Sequence, residues 1–231
     1  MKLKHLAAIP LAMMASYSSA QNISVEITNL THSLFFTPIL VSAHSPDMHL
    51  FEAGTTASPE LQAMAEGGDI AGLLGLADGM GAVSAENPAG GLLGPAATVM
   101  TEMDTGAQTA LTITAMLLPT NDGFVGLDAW TIPEEAGTYT LFLNGYDAGT
   151  EANDERVVDG SGMPGVAGIP ANPGGNGGTD GTGVTLTETN TQIHIHRGAL
   201  GDTDATGGAS DLDSRVHRWL NPVAKVVVTV Q

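Results

Sequence analysis

L-T-I-T-A-M-L-L-P-T-N-D-G-F-V-G-L-D, Leu111 to Asp128, is the stretch on which the fold turns. An apolar segment from Thr109 to Leu118 stops at Pro119, and an acidic turn with Asn121, Asp122 and Gly123 follows. Thr138 to Leu143 repeats the arrangement and runs into Y-D-A-G-T-E-A-N-D-E, Tyr146 to Glu155. Short apolar runs bounded by Pro, Gly, Asn and Asp read as strands. Each strand therefore ends in a cluster of carboxylate and amide oxygens. Ca²⁺ takes roughly six to eight such hard oxygen donors in a flexible geometry, which loops supply more easily than regular backbone. A solvated acidic loop is the alternative for either cluster alone.

Outward from these strands, short alternating segments dominate. Asn22 to Thr28 alternates as a half-buried strand does. Leu34 to Val41 is apolar but broken by Pro38, which suits an edge or bulged strand. Thr98 to Met103, Leu111 to Leu118, Thr138 to Leu143, Thr191 to His196 and Ala224 to Val230 complete the set. Ser58-Pro59-Glu60 reads as a helix start, with a hydroxyl cap, Pro at the first helical position and an acid in the first turn. Gly67-Gly68 ends that helix, and Asp69 caps a second one through Ile70, Leu73, Leu74 and Ala77. Met163 to Gly183 is a Gly/Pro/Asn tract and is expected to be a long loop. The pattern predicts an all-β antiparallel sandwich with a short helical insertion.

Met1-Lys2-Leu3-Lys4-His5, the apolar stretch Leu6 to Met14 and Ser18-Ser19-Ala20 together read as a cleaved export signal over residues 1–20. One domain is then expected over 21–231, in the periplasm, at the cell surface or in the medium, and no later segment is apolar enough to span a bilayer. Lys2 and Lys4 leave with the signal, so the remainder is two charges more negative than the −18 of the full chain. Such a charge repels nucleic acid and anionic lipid and favours cations. The chain has no Cys, which excludes disulfides and thiolate chemistry.

I-T-N-L-T (Ile27 to Thr31), S-A-H-S-P (Ser42 to Pro46), A-E-G-G-D (Ala65 to Asp69), M-L-L-P-T-N-D-G-F-V-G-L (Met116 to Leu127) and Y-D-A-G-T-E (Tyr146 to Glu151) follow one another through most of the chain. In this order they resemble the spondin N-terminal domain, in the stand-alone exported form found in bacteria. The last two segments are the specific ones. The resemblance implies a C2-like β-sandwich with calcium bound at one end, no enzymatic activity, and in the animal members an adhesion or matrix role. It implies an extracellular or surface ligand, protein or glycan, as partner. It also implies Asp122 and Asp147 as calcium ligands, with a third carboxylate on the strand preceding the first motif. Glu102 and Asp104 both qualify there, since alternation puts them on one strand face; Glu102 is taken here. The animal domains carry cysteines near these segments, and this chain carries none.

The residues support the two aspartates independently. Asn121 and Gly123 permit a tight turn around Asp122, and Gly149 lets backbone approach an ion held by Asp147. Glu151, Asp154 and Glu155 either add ligands or hold the field negative, a solvated face being the plainer reading, and Asp128 either caps a turn or binds. A rival site is His194 and His196, two apart on a strand and so on one face. With His217, or His44 and His49, they would hold Zn²⁺ or Cu²⁺ in a metalloenzyme. The plainer reading of these histidines is a hydrogen-bonded polar face. No G-x-S-x-G elbow occurs, and the Gly174–Gly178 run lacks the lysine of a phosphate loop. Arg215 to Pro222 offers Arg and Trp for a binding patch. The competing expectation is that Trp219 anchors the last strand with its indole N–H bonded.

Overall fold

A computed structural model describes residues 21–231 apart from Asn176, and residues 1–20, read from sequence as an export signal, lie outside the described residues. The elements, in chain order, are β1 (Asn22–Asn29), β2 (Phe35–Phe36), β3 (Leu40–His44), α1 (Pro59–Gly67), α2 (Ala71–Gly79) and β4 (Val83–Glu86). They continue with β5 (Thr98–Asp104), β6 (Ala110–Leu118), β7 (Gly123–Thr131), β8 (Gly137–Asp147), β9 (His194–Ile195) and β10 (Ala224–Val230).

The main strands pair along one path, β4-β3-β6-β7-β8-β10-β1-β5, and every pairing between strands is antiparallel. β8 is the joint. Its first part, Gly137 to Leu143, pairs with β10, and its last part, Asn144 to Asp147, pairs with β7. One strand thus belongs to two layers, and the all-β sandwich follows. Ile23, Val25 and Ile27 of β1 with Val226, Val228 and Val230 of β10 face Val41 of β3 and Ile113, Ala115 and Leu117 of β6. The strict alternation of β1 and β10 reflects one buried and one wetter face.

β6 is buried along its whole length. Its other face packs Met116 and Leu118 against Leu61, Met64, Leu73 and Ala77 of the helical insertion. That second cover explains its near-continuous apolar run. α1 starts as expected: the Ser58 side chain accepts from Leu61 N–H, Pro59 follows it, and Gly68 ends the helix at φ +73°. Asp69 Oδ1 accepts from Ala71 N–H at the start of α2.

Four expectations need correction. Pro38 falls between β2 and β3, and β3 is no edge strand, because it lies fully buried between β4 and β6. Gly123 and Asp128, both read as turn residues, fall inside β7. The strand read over Thr191 to His196 shrinks to two residues. Trp219 does anchor in the core, yet its indole N–H has no partner.

Between β8 and β10 the chain is almost entirely loop, as read for 163–183. Carboxylates organise it by accepting backbone N–H groups. Asp211 accepts from Val157, Thr179 and Gly181 N–H and from the Thr179 hydroxyl. Glu155 accepts from Leu200 and Gly201 N–H and from the Ser210 hydroxyl. Part of the acidic bias is thus structural: these anions replace a sheet as the acceptors of loop backbone.

A candidate cation site at the β7–β8 end

The β6–β7 turn and the end of β8 meet through register, since Gly123 pairs with Asp147 and sets Asp122 beside it. Gly123 is required there: a Cβ would lie 2.6 Å from Thr120 Oγ1, which accepts Gly123 N–H. Asp122 is fully buried. Its Oδ2 accepts from Thr150 N–H at 2.8 Å, Glu151 N–H at 3.1 Å and the Thr150 hydroxyl. Its Oδ1 is buried with no hydrogen-bond partner. Asp147, also buried, accepts from Gly149 N–H through Oδ1 and from Asn153 Nδ2 through Oδ2 at 2.6 Å. Gly149 turns at φ +71° against the Thr191–Gln192 backbone, where a side chain has no room.

Glu151 belongs to the same place, contrary to the solvated face expected of it. It is 6 % exposed, because the loop carrying Gly168 covers it and donates N–H to its Oε2. Its Oε1 is a second buried oxygen without a partner. Beyond it Glu66 of α1, fully buried, accepts from Gln62 Nε2 and Gly165 N–H. Asn121 ties the turn to the following loop, donating to Asp154 Oδ1 and accepting from Glu155 N–H. Asp128 sits away on β7, bonded to His49.

Burial, with the charge of Asp147 second, pushes the Asp122 carboxyl up to about 7. Burial likewise raises Asp147. Glu151 is pushed up to about 7 by burial, with the charges of Glu66 and Asp122 adding to it. No Lys or Arg occurs anywhere from Gln21 to Glu155. Asp122 and Glu151 were taken from water without a basic partner and Asp147 has only His194, 3.8 Å away, and a buried anion needs either a proton or a cation.

The structure does not bring Glu102 to this site, nor Asp104. Glu102 pairs with Ser24, Ser24 with Thr229, and Thr229 with Thr138, so it lies level with the opposite end of β8. Nine residues of strand separate Thr138 from Asp147, roughly 30 Å of extended chain. Alternation identified the face of β5 and said nothing of which end meets the turns. Glu151, four residues past Asp147, is the third carboxylate the fold supplies instead.

The histidines do not assemble either. His44 bonds Thr112 Oγ1 and the Ser45 carbonyl, and His49 pairs with Asp128. His217 Nδ1 accepts from Asp213 N–H. His196 turns inward against Trp219, with ring centroids 5.0 Å apart, and its Nδ1 accepts from Gly198 N–H. Burial holds it neutral, down at about 3. His194 alone looks toward the acidic site, its Nε2 3.8 Å from Asp147 Oδ2.

A fit to Ca²⁺ rests on donor chemistry. Asp122, Asp147 and Glu151 present hard anionic oxygens, two of which are buried and unused. Among the described residues no group of three His, Asp or Glu side chains stands close enough together to hold a metal ion by itself. Backbone carbonyls and water must therefore supply part of any coordination, as is usual for calcium.

A family model described as Spondin_N matches residues 28–154, a span holding Asp122, Asp147 and Glu151. No curated protein matches the chain.

Proposed function

The chain belongs to the spondin N-terminal domain family, matched over more than half its length, and from that premise we propose an exported binding module whose loop end is held by one calcium ion. Spondin domains are typically extracellular and the family is not enzymatic. No helix among the described residues is long and apolar enough to cross a membrane.

The observation that carries calcium is Asp122 Oδ1, a fully buried carboxylate oxygen with no partner beside a second buried aspartate. Asp122, Asp147 and Glu151 hold the ion. When bound it supplies two positive charges where the fold has gathered only negative ones. Asp122 keeps the 150–151 backbone in place through Oδ2 while its other oxygen is free to ligate. Asn153 and Gly149 orient Asp147 in the same manner. Calcium then links the β6–β7 turn, the end of β8 and, through Glu151, the Gly168 loop. Its role is structural: it fixes loops that otherwise repel one another, and those loops present the surface for an extracellular protein or glycan. The export signal at residues 1–20 is consistent with this setting.

The expected result is a melting temperature that rises with calcium and falls with chelator. Calcium at about a hundred times its dissociation constant adds about 2.7 kcal/mol, worth roughly 5–10 °C for a chain of this size. Asp122→Asn with Asp147→Asn removes the response. Equal melting of the parent protein in calcium and in chelator would count against the proposal.

A further inference from the structure

Calcium does not explain His194. Its Nδ1 lies 2.8 Å from the Gln192 carbonyl. A carbonyl only accepts, so Nδ1 carries a ring proton, and Nε2 is the ring nitrogen left to face the acidic site. That nitrogen is turned toward Asp147 Oδ2 at 3.8 Å, too far for a hydrogen bond. Asp147 Oδ2 has only Asn153 as a donor. A ring nitrogen and a carboxylate oxygen thus face each other across a gap, an ion pair when the ring is protonated and two donor atoms for a metal when it is not. The Nδ1–H to carbonyl bond is the arrangement that orients a metal-bound histidine. Glu188 adds charge nearby, close enough to act on both Asp147 and His194. Asp122, whose Oδ1 is buried and unused, is close enough to feel the charge of Asp147.

We propose that His194 Nε2 and Asp147 Oδ2 form a nitrogen–oxygen pair that takes a borderline divalent transition metal such as Zn²⁺, in competition with calcium for Asp147. The inference rests on the calcium reading only in that Asp147 is shared. Ligand atoms on one tetrahedral zinc stand about 3.4 Å apart, so the observed pair closes by a few tenths of an ångström. His194 is half-buried and needs no core rearrangement to do so. Imidazole suits zinc, whereas calcium prefers oxygen alone. His194 thus sets which metals the site admits, and it lies outside the family-matched residues 28–154. This pairing replaces His194 with His196, whose ring is committed to Gly198 and Trp219.

The test is calorimetric titration of the chelator-treated, folded protein with Zn²⁺ and, separately, with Ca²⁺, for the parent, His194→Ala, His194→Gln and His49→Ala. Both His194 variants are expected to lose about tenfold or more in zinc affinity, to leave calcium affinity unchanged, and to melt as the parent does in chelator. His49→Ala is expected to bind zinc normally, and calcium is expected to weaken zinc binding to the parent. Zinc binding unchanged by both His194 substitutions overturns the proposal and leaves the calcium reading intact. Loss in His49→Ala in place of His194→Ala marks an adventitious ion only and also overturns it. Absence of calcium binding, with zinc binding still dependent on His194, overturns the calcium reading and not the zinc pair.

Discussion

In chelator at roughly pH 8, Asp122→Asn melts above the parent protein, and in excess calcium the order reverses. The folded-state carboxyl is raised from an ordinary 3.8 to about 7. Below the lower value both folded and unfolded chains hold the proton, and the stability associated with this group is fully present. As pH rises through about 7 the folded chain must give the proton up, and that stability is lost. The loss reaches up to about 4 kcal/mol for a shift of this size. Asn keeps an oxygen for Thr150 and Glu151 N–H and puts an uncharged amide where the unpartnered oxygen lies. The apo variant should therefore lose less stability from pH 4 to 8 than the parent does. Glu151, also raised to about 7, titrates in the same window. Because the groups interact, the two losses do not add. Calcium inverts the sign, since a charge that opposes the apo fold becomes a ligand. If the variant melts below the parent in chelator at that pH, the buried charge is not a cost and the account of the site fails. Thermal melts across pH, with and without calcium, read this directly.

Trp219→Ala should cost about 3–5 kcal/mol whether or not calcium is present. Trp219 is 7 % exposed and fills the space Gly145 leaves open on β8; a Cβ at Gly145 would come within 2.7–2.8 Å of the indole. On the same segment Asn221 Oδ1 accepts from Gly145 N–H at 2.6 Å, so ring and amide together dock the chain entering β10. Removing the ring opens a cavity beside Leu117 and His196. Trp219→Phe should cost far less, because the indole N–H makes no hydrogen bond to lose. Denaturant unfolding of both variants distinguishes packing from bonding. A Phe variant as unstable as the Ala variant would show that the indole nitrogen matters after all.

Much of the fold was legible because period-two alternation and turn residues are local signals. Asn22 to Thr28 and Ala224 to Val230 alternate since one face of each strand meets the core, and Ser58-Pro59 began a helix for reasons contained in three residues. β7 escaped because F-V-G-L neither alternates nor carries a β-branched run, and it is buried at its start on both faces. Asp122 and Asp147 were readable from the composition of their turns, and the pairing of Gly123 with Asp147 puts them together. Which carboxylate lies beside them was not: Glu151 was one of three acids read as added ligands or a solvated face, and Glu102 was preferred. Which end of β5 faces the turns depends on its pairing with β1, a contact far apart in sequence that alternation cannot express. Glu151 is buried by a glycine-rich loop without periodicity, so nothing near it in sequence announces a cover. His194 and His196 share a face only while the strand lasts; it ends at Ile195, and His196 is buried against Trp219.

The most direct measurement of the central claim is calcium titration of the chelator-treated protein by calorimetry, with Asp122→Asn and Asp147→Asn alongside. The account predicts saturable binding of about one ion per chain to the parent, abolished by either substitution. Calcium binding that persists at the same stoichiometry and affinity in both variants, or none in the folded parent, would contradict it.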